Sequence, residues 1–394
     1  MSKALLALAL ITSLAGPAPA ATPIKILFVG NSYTFGRANP VMGYNAAAVH
    51  DLTASFNAVS AAGTNSHPVG TSGRGSFEPH PWGGVPGIFK RMTDAAGLSY
   101  DVSLSTRNAA SLRGHFLNLY GKAWDLRGNV ASQAWDVVVL QEQSDGALPS
   151  GKARHAGFAA LRAYAIQFER FIHDGAERNF TETQLFGGLA ACLAAGQPQT
   201  ACDTHHHIHA NANASPATRI YLEQTWARPD MVEAHRITRP DLATADGRPI
   251  AAGGTAMSYY TDLAGMTADL RQAFNDIAAS HPGFAGVVPV GDAFQRAIDE
   301  GLARGRGFYD TEGRFATDST GPVDLWWLDR THASKYGSYL SALTLFGAIT
   351  GLDPLSLGSH EQAAVDLGLD ATTARALQRV ASRQLGFDGA PAQR

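Results

Sequence analysis

A dominant charge is the first thing this chain lacks. Thirty-one basic side chains face 34 acidic ones, for a net charge of −3 over 394 residues. That balance leaves no basic face for nucleic acid or an acidic lipid surface, and neither partner is expected. Long apolar runs are missing too. Past residue 20, no stretch reaches bilayer-spanning length without Gly, Pro or polar interruption, so no membrane insertion is expected. There is no internal repeat and no linker long enough to set off a second domain. The length then suits one large domain carrying insertions. Cysteine is scarce: Cys192 and Cys202 are the whole supply, enough for one disulfide.

What is present starts with an export pattern. Lys3 gives a basic start, residues 4–14 an apolar run, and Ala18-Pro19-Ala20 a small-x-small cleavage site. Residues 1–20 therefore read as a signal peptide, and the mature protein as secreted or periplasmic. An oxidising destination makes a Cys192–Cys202 disulfide the expected pairing.

Short apolar, partly β-branched runs at residues 24–29, 100–105, 135–141, 219–224 and 286–290 read as strands. Helical patterns over 46–58, 85–96, 154–176, 261–280, 292–304, 334–349 and 360–385 alternate with them. The expectation is an α/β protein of three layers, α/β/α, with a five-stranded parallel sheet in flavodoxin-like order. One domain would fill residues 21–355, with insertions around 60–84 and 185–214. Residues 356–394 would form a helical appendage.

The first strand ends on Gly30-Asn31-Ser32. In an open α/β sheet, ligands bind at the carboxyl ends of the strands. A serine there aims its hydroxyl into the crevice; Gly30 allows a sharp turn, and Asn31 can bond the turn from its side chain. A serine hydroxyl needs a general base, and the base needs an acid group to hold its tautomer. Near the other end, Asp329-Arg330-Thr331-His332 places a carboxylate three residues before an imidazole. Ser32, His332 and Asp329 are the expected nucleophile, base and orienting acid.

Taken together, Gly30-Asn31-Ser32-x-Thr34 after the first strand and Asp329-x-x-His332 before a last helix resemble the SGNH (GDSL-type) hydrolases. Residues 138–144 (Val-Val-Leu-Gln-Glu-Gln-Ser) and 332–340 (His-Ala-Ser-Lys-Tyr-Gly-Ser-Tyr-Leu) resemble a bacterial secreted branch of that superfamily. The resemblance runs roughly from residue 24 to 351, with long unmatched insertions. It implies ester hydrolysis through an acyl-enzyme, on O-acyl groups, acetyl above all, of a carbohydrate; lipid esters are the alternative. It also implies an oxyanion hole. The backbone N–H of Ser32 is one donor. Ala109 stands where such enzymes carry a glycine with a second backbone donor. Their Gly-x-Asn-Asp pattern is absent, and Gln141 is the expected amide donor, with Gln143 as fallback. Trp226 and Trp327 are candidates for a substrate wall, a place in the core being the commoner role for an aromatic such as Trp226.

Two other classes stay open. Asp203 with His205, His206, His207 and His209 suggests a metal-dependent hydrolase. However, adjacent histidines point different ways, and neither His-x3-His nor His-Glu-x-x-His spacing occurs. An exposed polar loop is the expectation, with no metal or cofactor. The other class is a carbohydrate-binding protein without turnover, using Trp82, Trp226, Trp326 and Trp327.

Overall fold

Ten strands run through the computed structural model, which describes residues 22–53, 81–120, 125–243, 249–256, 258–316 and 322–388. The expected signal peptide and most of the 60–84 insertion lie outside these residues. The strands are β1 (Ile24–Gly30), β2 (His50–Asp51), β3 (Tyr100–Thr106), β4 (Val137–Gln141), β5 (Arg178–Thr181), β6 (His205–Ile208), β7 (Arg219–Glu223), β8 (Arg236–Ala243), β9 (Pro249–Thr255) and β10 (Gly286–Val288). Six form one sheet in the order β10-β7-β4-β1-β3-β2, with every pairing parallel. β5–β6 and β8–β9 are separate antiparallel pairs.

The sheet has six strands rather than five because residues 46–58 do not begin as a helix. Ala46–Ala48 make one 3-10 turn, and His50–Asp51 then pair with Ser103 and Leu104 of β3. The Asp51 carboxylate accepts the N–H groups of Thr53 (2.9 Å) and Trp82 (3.0 Å). Such a side-chain acceptor competes with helical bonds and ends the turn. The remaining order is the flavodoxin-like one, with β2 added at the edge.

β4 is buried along its whole length, which suits its Val-Val-Val-Leu run to a strand covered on both faces. Helices Gly84–Ala95, Val290–Asp299, Lys335–Thr350 and Ala371–Gln384 pack together as one layer. There Phe89 meets Phe28 and Tyr100 edge-on, at 5.5 and 5.3 Å. Helices Leu112–Phe116 and Phe158–His173 pack together elsewhere, with Phe116 edge-on to Phe168 at 5.1 Å. The C-terminal segment is no loose appendage: Ala363, Ala364, Leu367, Leu377, Val380 and Ala381 lie in the same apolar core as the sheet. In the 185–214 insertion, Cys192 and Cys202 form a disulfide, and the histidine run forms strand β6 rather than a loop. Among the described residues, no helix is long and apolar enough to cross a membrane.

Candidate active site

β1 lies between β3 and β4, so its end opens where the strand order reverses. Asn31 caps the one-turn helix Ser32–Phe35: its Oδ1 accepts the N–H of Tyr33 at 3.0 Å. Its Nδ2 donates to the carbonyls of Ala110 (2.9 Å) and Glu142 (3.2 Å). One side chain thereby ties the ends of β1 and β4 to the loop after β3. Gly30 is required by close approach rather than by a sharp turn. A Cβ there would stand 2.1 Å from Thr34 Oγ1 and 2.5 Å from Gln141 Oε1. Beneath it, buried His115 donates from Nε2 to the Gly30 carbonyl at 2.7 Å. Burial pushes the His115 imidazole down to about 4, with Arg107 adding to the effect, although the Gly30 bond works the other way. The ring is thus neutral at pH 7 and braces the strand end.

The second half of the site is the loop 324–334. His332 Nε2 lies 2.7 Å from Ser32 Oγ, and His332 Nδ1 lies 2.6 Å from Asp329 Oδ2. Asp329 Oδ1 accepts the backbone N–H groups of Thr331 (3.0 Å) and His332 (2.9 Å). Burial works against the Asp329 carboxylate, yet His332, these N–H groups and Arg37 hold it well below the usual carboxylate range. A carboxylate on Nδ1 favours the tautomer whose Nε2 lone pair faces the serine hydroxyl.

Backbone bonds close this loop, from the Trp327 N–H to the His332 carbonyl (2.7 Å) and from the Ser334 N–H to the Leu325 carbonyl (2.9 Å), and side chains brace it. Arg330 sits in the left-handed region at φ +58°, a cost on the order of 1 kcal/mol or more for a non-glycine residue. Its buried guanidinium bonds Asp324 (2.5 Å) and the Ala316 carbonyl (2.9 Å), over the ring of Phe308. From the far side, Arg228 grips Asp230 with two bonds (3.0 and 2.5 Å), Ser144 Oγ with one (2.9 Å) and Thr331 Oγ1 with one (3.3 Å).

Among the described residues the N–H groups of Ser32 and Ala109 have no acceptor. Ser32 opens a helical turn, where N–H groups have no partner of their own. Ala109 has φ +55°, the conformation a glycine adopts freely. Gln141 is placed differently from expectation. Its Oε1 accepts the Asn31 N–H and the Thr34 hydroxyl, each at 3.0 Å, and its Nε2 donates to the Glu142 carbonyl. The Oε1 atom thus shapes the Ser32 turn, and the absence of a side chain on Gly30 makes room for it. Gln143 Nε2 is likewise taken, by Ser144 Oγ at 3.1 Å.

Trp226 is a correction as well. It is fully buried, stacked between Tyr33 (3.9 Å) and Phe294 (4.9 Å), and its indole N–H donates to the Thr331 carbonyl at 3.1 Å. It backs the His332 loop and walls nothing. Trp82 and Trp326 are buried too, which leaves half-buried Trp327 as the remaining wall candidate. Trp327 donates its N–H to the His332 carbonyl at 2.7 Å.

Glu142 shows no sequence signal of its role. Buried, it accepts the N–H groups of Leu112 (3.2 Å) and Gln143 (2.7 Å), and burial pushes its carboxyl up to about 7 despite those bonds. It links the Ala109 loop to the end of β4. The histidines of β6 find their partners on β5 and the segment before it, with no contact to Ser32, Asp329 or His332.

No family model and no curated protein matches the chain. Solved structures give three likenesses. A DUF4886 family protein from Bacteroides uniformis is 12% identical, with 94% of this chain and 98% of that chain covered and a TM-score of 0.46. A provisionally assigned SGNH hydrolase from Slackia heliotrinireducens is 16% identical, covering 83% of this chain and 100% of that one, at a TM-score of 0.35. A carbohydrate esterase family 2 enzyme with a carbohydrate binding domain, from Corynascus thermopiles (Myceliophthora fergusii), is 11% identical. It covers 94% of this chain and 68% of that one, at a TM-score of 0.29.

Proposed function

We propose that the protein is an exported serine ester hydrolase of SGNH type that works through an acyl-enzyme. The observation that carries this reading is the unbroken chain Ser32 Oγ, His332 and Asp329, with bonds of 2.7 and 2.6 Å. In the proposed reaction, Ser32 Oγ attacks the ester carbonyl while His332 Nε2 takes the hydroxyl proton. Asp329 steadies the resulting imidazolium. The N–H groups of Ser32 and Ala109 face the developing oxyanion. His332 then returns the proton to the leaving alcohol. Water, activated by the same imidazole, cleaves the acyl-serine and releases the acid.

The substrate part of the proposal is an O-acyl group, acetyl above all, on a carbohydrate. Its support is the resemblance carried by Gly30-Asn31-Ser32 and Asp329-x-x-His332. The experiment is labelling with a fluorophosphonate followed by peptide mapping. Hydrolysis of an activated acetyl ester, an O-acetylated glycan and a long-chain glyceride is measured alongside. Label on Ser32, with glycan deacetylation fastest, is the expected result. Label elsewhere, or full turnover in Ser32→Ala, removes the mechanism; preference for the glyceride replaces the substrate.

A further inference from the structure

We infer that the β5–β6 hairpin carries a surface site for a late first-row divalent cation such as zinc or nickel, held by His207, His209 and Glu177. The period of two along a strand undoes the objection that adjacent histidines diverge. His205, His207 and His209 are exposed, whereas His206 and Ile208 turn inward, and His206 packs against Phe180. Antiparallel register sets Asn179 opposite His207 and Arg178 opposite Ile208. Glu177, just before β5, therefore stands across from His209.

The three donor atoms already converge. His207 Nε2 is 3.1 Å from His209 Nδ1 and 3.9 Å from Glu177 Oε1, and all three ligand atoms lie within 4.8 Å of one another. Two nitrogens bound at about 2.0–2.1 Å in a tetrahedral shell stand roughly 3.3 Å apart, so the imidazole pair is nearly set for a shared ion. Asn179 Oδ1 lies 2.7 Å from His207 Nδ1. An oxygen acceptor there fixes the proton on Nδ1 and turns the Nε2 lone pair toward His209 and Glu177, as outer partners do at metal-binding histidines. Two imidazoles and one carboxylate suit zinc or nickel better than calcium or magnesium, which take all-oxygen shells. The Cys192–Cys202 disulfide lies just ahead of β6 and ties down the insertion that carries it. With no link from these residues to Ser32, the ion's role is to staple the hairpin, not to serve the ester chemistry.

The test uses untagged full-length protein, stripped with EDTA and dialysed, then titrated with zinc chloride and separately with nickel chloride by calorimetry. One equivalent should bind in the micromolar range and raise the unfolding temperature. His207→Ala and His209→Ala should each weaken binding about tenfold or more. Glu177→Gln should weaken it less, and His205→Ala, on the same face but outside the set, should leave it unchanged. Ester turnover should not move with EDTA or zinc. The inference fails if no saturable micromolar binding appears, or if binding survives His207→Ala/His209→Ala. It fails equally if His205→Ala weakens binding as much, which marks an unspecific histidine run. Turnover lost to EDTA and restored by zinc would overturn the stapling role.

Discussion

Ser32 and His332 meet at one point but are held there by different means. Ser32 hangs from the centre of a parallel sheet, fixed by β1 pairing to β3 and β4 on either side and by the Asn31 and Gln141 amides. His332 lies in a loop closed by backbone bonds from Trp327 to His332 and from Ser334 to Leu325, and braced by Arg228, Arg330 and a buried tryptophan. The proposed nucleophile is positioned by strand pairing across the sheet, whereas the proposed base sits in a short loop closed by a few backbone bonds and braced by separable side chains. Damage to the braces of the second half should therefore cost more rate than comparable damage beside the sheet.

The largest effect tests whether the halves act as one unit. Ser32→Ala should lower the acylation rate roughly 10,000-fold or more with an unchanged unfolding midpoint. Ser32→Ala/His332→Ala should be little worse than either alone. Rate losses that multiply in pre-steady-state kinetics would separate the halves. Next, Asp329→Asn keeps the shape but donates where it should accept, and should cost about 1,000- to 10,000-fold in kcat. A loss under tenfold would show that the backbone alone orients His332.

Breaking a brace should cost less. Arg228→Met removes the grip on Thr331 and leaves Asp230 without its cation, with only the Thr331 hydroxyl as a partner, for roughly 3 kcal/mol of stability. It should also lower kcat by tens-fold with KM little changed, a split that a merely structural arginine would not produce. Gln141→Ala is the matching cut on the sheet side. It strands the buried Asn31 N–H at a cost of about 1–3 kcal/mol and should reduce turnover only a few-fold, because the strands still hold Ser32. A collapse of turnover there with intact stability would return Gln141 to the oxyanion hole.

The smallest effect is a pH dependence under the sheet end. His115 titrates near 6.5 when unfolded and near 4 when folded, so the folded state binds its proton less readily. Its stabilising contribution is complete above pH 6.5 and is lost as pH falls through 4. The stability advantage of the wild type over His115→Gln, from urea unfolding, should shrink between pH 7 and pH 4. A constant difference would mean that the fold leaves the proton affinity of His115 unchanged.

The same contrast explains what could be read from the residues. β1 and β4 are legible because their apolar, partly β-branched runs are buried on both faces, and β3, β7 and β10 show shorter apolar stretches of the same kind. β2 is two residues long, and β6 is mostly histidine, so neither carries a hydrophobic period. Asp329-x-x-His332 is a local pattern and needs no tertiary knowledge. The supports of His332 are another matter: Arg228 reaches Ser144 and Thr331 across 84 and 103 residues, and no spacing announces that. For Gln141 and Trp226 the gap has a shared cause. Position at a strand's carboxyl end shows which residues are near the crevice, but not whether a neighbour such as Asn31 or Thr331 has already claimed their polar atoms.

The Ser32–His332 contact spans 300 residues of chain. During synthesis, the proposed nucleophile leaves the ribosome early and its base very late. Until the segment after residue 324 is complete and the helix Lys335–Thr350 has docked on Gly84–Ala95, Ser32 has no partner to take its proton. On the proposed mechanism, an unfinished copy would be silent toward the esters of the cell that makes it, and ester turnover would report that the His332 loop and the helix after it have docked.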